Sequence, residues 1–158
     1  MTDFVDTRPS RNDEGPSLVA AFATVVSAFA RLIDAERDIE GHSGQDPAVM
    51  AWIRDAETAR GDVLDAISAV FEHEVGQDDT APVLLGLTFQ IQLALLTEAP
   101  SEALSLGRWA ERAQAVDLFP LGTSGQVLAL VDRAIDLLKA FMALEVDGWP
   151  EAGGPFAA

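Results

Sequence analysis

Apolar residues recur along this chain at three- and four-residue steps, and turn-forming residues cut the recurrence into five segments. In the first, Leu18, Phe22, Val25, Phe29, Leu32 and Ile39 keep to one helical face, which Val19, Val26 and Ile33 widen. Ser17 stands before it as a natural N-cap and Gly41 after it as a natural stop, so a helix is predicted from Ser17 to Glu40. "GHSGQ" (41–45) then supplies turn chemistry. Asp46 is placed to cap a second helix, with Pro47 at its first position, where a missing N–H costs nothing. Val49, Ile53, Ala56, Val63, Ile67 and Val70 make its inner face, helped by Trp52, Leu64 and Phe71, and Gly76 ends it. So short a connection between two long helices predicts an antiparallel hairpin.

The third segment is ambiguous. In "LGLTFQIQLALL" (85–96) the apolar residues alternate with Gly, Thr, Gln, Gln and Ala, which is the period of a half-buried strand. A lone strand needs a partner, and every neighbouring segment has helical period and helical caps. Wound at about 100° per residue, the same residues sort into two apolar faces. Leu84, Leu87, Ile91 and Leu95 form one, and Leu85, Phe89, Leu93 and Leu96 the other. The prediction is a helix over 81–97, capped by Thr80, carrying Pro82 in its first turn and packed from two sides.

Pro100 and Ser101 open a fourth helical segment. Its inner face is Leu106, Trp109, Ala113 and Val116, and its outer face is Arg108, Glu111 and Arg112. "LFPLG" breaks it. Thr123 and Gln126 have capping-box spacing before a fifth helix. That helix carries Leu128, Val131, Ile135, Leu138 and Met142, flanked by Leu130, Leu137, Phe141 and Leu144, and Gly148 stops it. "GTSGQ" (122–126) repeats the earlier turn almost letter for letter, which reads as cap chemistry chosen twice. The fold expected is all-α: a four- to five-helix bundle with the hairpin of the first two helices packed on the other three. It occupies 17–147 as a single domain, with a flexible lead over 1–16 and a tail over 148–158.

Charge narrows the partners. Against 10 basic residues stand 26 acidic ones, for a formal net charge of −16. That field repels nucleic acid and anionic lipid, so neither is expected as a partner. There is no cysteine, which removes disulfides, thiolate catalysis and Cys-ligated zinc. No signal-like stretch opens the chain, and no run reaches the roughly 18 consecutive apolar residues of a spanning helix, so a cytoplasmic protein is expected.

Candidate chemistry is sparse. The chain contains no G-x-S-x-G, P-loop or G-x-G-x-x-G pattern. His42 and His73 fall near opposite ends of the second helix, and neither has a glutamate three residues before it, so no metal and no cofactor is expected. Glu36 falls on the apolar stripe of the first helix, as a rim residue or a pocket carboxylate within reach of Arg54. Thr88 and Gln92 lie on a seam between the two apolar faces of the third helix, and Gln90 lies on the other. They would hydrogen-bond within or between helices, or act as handles for an apolar ligand. Trp52, Trp149 and Phe156 are candidate interface anchors.

The leading expectation is a non-enzymatic protein that acts through protein–protein contacts. It would be a homodimer, an adaptor or regulator, or a chaperone-like partner for a basic or apolar protein segment. The alternative is a binder or sensor of a small apolar ligand, with its pocket at helix 81–97 and Thr88, Gln90, Gln92 and Glu36 lining it. An uncharacterised enzyme comes third and would need Glu36, His42 or His73 gathered in a cleft.

Overall fold

The computed structural model describes residues 17–39, 48–73, 79–96, 105, 108 and 123–147, with the side chains of 145–147 excepted. The described residues form four α-helices: α1 (Leu18–Ile39), α2 (Val49–Phe71), α3 (Ala81–Leu95) and α4 (Gly125–Asp147). The all-α expectation holds, and the alternating stretch is a helix. Of the segment expected after Pro100, only Ser105 and Arg108 are described, both helical and exposed. Its inner-face residues Leu106, Trp109, Ala113 and Val116 lie outside the described residues, as do 1–16, 148–158, Asp46 and Pro47.

The helices start where side chains or geometry accommodate free backbone N–H groups. The Ala20 N–H donates to Ser17 Oγ at 3.3 Å, as the sequence predicted. At the start of α4 the Val127 N–H donates to Ser124 Oγ at 3.4 Å. The helix begins at Gly125. Thr80 occupies the N-cap of α3, but its backbone is already helical (φ −86°, ψ −20°) and its side chain makes no capping bond. Pro82 stabilises that start instead, because its fixed φ suits the first turn. α2 ends at Phe71, short of the predicted stop at Gly76.

α1 and α2 pack along their length as an antiparallel hairpin. Arg31 reaches Asp62 at 3.3 Å and Arg60 reaches Glu36 at 3.2 Å, which fixes the register. α1 and α3 each pack on all three other helices, whereas among the described residues α2 and α4 do not meet. The core therefore runs between α1 and α3. Phe22, Val25, Phe29 and Leu32 from α1 meet Val63, Ile67 and Val70 from α2, Leu84, Leu87 and Ile91 from α3, and Ile135, Leu138 and Phe141 from α4. The Phe29 and Phe141 rings sit 5.3 Å apart at 53°, within the range in which tilted aromatic pairs attract.

Expectations on three helices are corrected: on α2, Leu64 and Phe71, read as helping the inner face, are exposed. α1 is long and apolar enough to cross a membrane by length and composition, contrary to the expectation that no segment would be. Counting bulky periodic residues undervalued its alanines, which raise hydropathy without forming a stripe. Here its bulky face is buried against three helices, and Thr24, Ser27, Arg31 and Asp34 face outward. Leu128, placed on the inner face from sequence, is exposed, and Val127 takes its place in the core.

Gly61 lies inside α2, exposed, and a Cβ added there meets nothing within 4 Å. Gly61→Ala is thus expected to stabilise the chain by about 0.5–1 kcal/mol, through backbone entropy and helix propensity alone. Urea unfolding followed by far-UV circular dichroism would show a raised midpoint with an unchanged slope.

Candidate functional site

α3 has an inner and an outer side of opposite character. Ala81, Leu84, Leu87, Thr88, Ile91, Ala94 and Leu95 are buried. Pro82, Gly86, Phe89, Leu93 and Leu96 are exposed, in alternating steps of four and three residues. Phe89 is 53% exposed, Leu93 41% and Leu96 66%. The second apolar face predicted to be packed is therefore largely open, and only Leu85 from it is half-buried against the core. Apolar period alone cannot tell a face covered by neighbours from one left to solvent, and this is why the sequence reading overfilled it.

Between Ala81 and Leu95 there is no acidic or basic residue, although 23% of the whole chain is charged. α1, α2 and α4 all carry charges on their outer sides, among them Arg31 and Asp34, Asp62 and Asp65, and Asp132 and Asp136. Among the described helices, α3 alone has no charged residue, although large apolar side chains are also exposed on α2 (Met50, Leu64 and Phe71) and α4 (Leu128). An exposed large apolar strip is informative where a scattered exposed leucine is not.

The polar side chains predicted to line a pocket are placed as follows. Thr88 is fully buried, and its hydroxyl donates to the Leu84 carbonyl at 2.8 Å, one turn back in the same helix. The same i−4 bond is made by Thr24, Ser27, Thr58 and Ser68, which are exposed, so Thr88 differs from them in burial and not in bonding. Among the described residues, no buried side-chain nitrogen or oxygen is left without a partner. Gln90 and Gln92 are half-buried, at the two margins of the apolar strip. Thr88→Val is expected to change unfolding stability by no more than about 1 kcal/mol, since the net value of one such bond is small and its acceptor already belongs to a helix. A urea midpoint implying a loss above about 2 kcal/mol would mean that the hydroxyl serves a second partner.

Glu36 is half-buried, and its partner is Arg60, with Nη2 donating to Oε1 at 3.2 Å. Arg54, the partner expected, lies further toward the start of α2 in the observed hairpin register and is exposed. Arg60 also donates from Nη1 to the Leu95 carbonyl at 3.2 Å. Leu95 is the last residue of α3, where carbonyls lack helical donors and the helix dipole favours a cation. One guanidinium thus joins the ends of α1 and α3 to the middle of α2, and it fixes how α3 presents its outer strip.

Of the residues an enzyme reading would need, Glu36 and His73 are described and lie apart. His73 follows the C-terminal end of α2, about 20 Å along that helix from Arg60 and therefore from Glu36. His42 lies outside the described residues, and no group of three acidic or histidine side chains that could hold a metal occurs among those described. Of the interface candidates, Trp52 is half-buried on α2, and Trp149 and Phe156 lie outside the described residues. No protein-family model, curated protein or solved structure matches this chain.

Proposed function

We propose that this chain works by protein–protein contact and not by catalysis, and that the outer strip of α3 is the contact surface. The observation that supports this is the coincidence of exposure and charge. Phe89, Leu93 and Leu96 face water on the one described helix without a charged residue, in a protein of net charge −16. Leaving bulky apolar side chains in water forgoes about 25 cal/mol per Å² that burial would return. The surrounding acidic surface keeps the strip soluble, disfavours nucleic acid and anionic lipid, and leaves an apolar protein surface as the natural occupant.

A photoreactive phenylalanine analogue placed at Phe89, or at Leu93, tests the reading in cells that express the full chain. The same discrete-mass adduct is expected from both positions, none from Ala129 on the outside of α4, and none from Leu93 once Leu96→Glu is added. Irradiation that yields no adduct from either position overturns it.

A further inference from the structure

Resting on that reading, we infer that the occupant of the strip is a second copy of this chain, with the two α3 helices crossing antiparallel about a two-fold axis between Gly86 and Phe89. Three observations point to it. The first is period. Pro82, Gly86, Phe89, Leu93 and Leu96 step by four, three, four and three, which is the seam by which one helix meets another. The second is shape. A Cβ added at Gly86 meets nothing within 4 Å, so the strip has an open notch beside its largest knob, Phe89. An antiparallel two-fold sets Phe89 of each copy into the notch at Gly86 of the other, and the same operation sets Leu93 over Pro82. Knob and notch lie three residues apart on one helix, so the surface is complementary to itself, as an isologous contact requires.

The third is charge. Two copies at −16 repel at every described face that carries carboxylates. Along α3 itself they can approach with no charged side chain from either helix between them, and Asp79, which precedes α3 and falls opposite Leu96 in this register, is the one described charge at the ends of the strip. A heterologous basic partner would be matched better by an acidic groove than by a charge-free strip, so the absence of charge favours self-contact. The strip is about 22 Å long. One helix pair of that length lies at the low end of specific interfaces, so the association is expected in the micromolar range.

Sedimentation equilibrium of the purified full chain, at concentrations spanning about 1–300 µM, reads this directly. The expected mass rises from that of the 16.8 kDa chain to twice it. Phe89→Glu is expected to hold the single-chain mass throughout with unchanged helical circular dichroism, since Phe89 is exposed and its loss opens no cavity. Gly86→Gln is expected to weaken the dimer at least tenfold while leaving or raising helix content, because it fills the notch and improves helix propensity. Salt separates this contact from a charged one: raising sodium chloride from about 20 to 300 mM screens the repulsion and is expected to tighten the dimer several-fold.

A wild-type chain that stays at single mass throughout overturns the inference. If its crosslinking analogues still report a different protein, the contact reading survives. If they are silent too, both fail. A wild-type chain at single mass whose melting temperature nevertheless falls on Phe89→Glu shows that the strip is covered within one chain, and likewise overturns the inference. A dimer that weakens with salt, or that Gly86→Gln leaves intact, overturns the charge-free two-fold register.

Discussion

Phe29→Ala is expected to lower unfolding stability by about 3–5 kcal/mol, which for a domain of this size moves the melting temperature down by about 10 °C. Phe29 is fully buried in the middle of α1, the helix that touches all three others, within a core cluster drawn from all four described helices, so removing its ring leaves a cavity in that shared core. Its ring also loses the tilted contact with Phe141 at 5.3 Å. Phe141→Ala should cost a similar amount. The double variant should cost less than the two added together, by about 0.5–1.5 kcal/mol for the ring pair itself. Guanidinium melts of the four chains measure the coupling. A strictly additive pair would show that α1 and α4 do not share one packed layer at this point.

The legible part of the fold was the part written in the period of bulky residues. Phe22, Val25, Phe29 and Leu32 were expected inside α1, Val63, Ile67 and Val70 inside α2, and Ile135, Leu138 and Met142 inside the last helix, and each is buried. Their spacing leaves one consistent rotation of each rod. The hairpin was legible from length and turn chemistry. Its register was not, because Arg54 and Arg60 both reach inward at some rotation of α2. The choice of Arg60 depends on where the end of α3 arrives, which no local pattern encodes. Thr88 shows the same limit. Its burial followed from the two apolar faces beside it, but the sequence left its bond open between a neighbour, a ligand and its own Leu84 carbonyl.

The exposed strip of α3 is visible in the sequence as a row of apolar residues, and its period reads as core. The signal that could have separated the two readings is charge, not hydropathy. A rod touched by every neighbour and a rod exposed on one side both tolerate Phe89 and Leu93. A chain with 26 acidic residues that places none between Ala81 and Leu95 sets that stretch apart from its charged neighbours.

Ile91→Asp is expected to abolish cooperative folding, whereas Phe89→Asp, two residues away, is expected to leave the fold of the single chain within about 1 kcal/mol of wild type. In a strand these two side chains would share a face, and the two substitutions would do equal harm. In α3 they point about 160° apart. Ile91 is wholly buried between Leu87 and Leu95, where an aspartate would be an unpaired charge, or a protonated acid without a partner. The cost exceeds the roughly 4–5 kcal/mol at which single substitutions become exceptional, and it is comparable to the whole stability of an ordinary domain. Phe89 is more than half exposed, so its aspartate stays hydrated and creates no cavity. Helical circular dichroism and proton NMR dispersion, measured at micromolar concentration where single chains dominate, read the contrast. Equal damage from both would mean that the strip is covered within one chain. Little damage from either would mean that α3 does not close the core on α1.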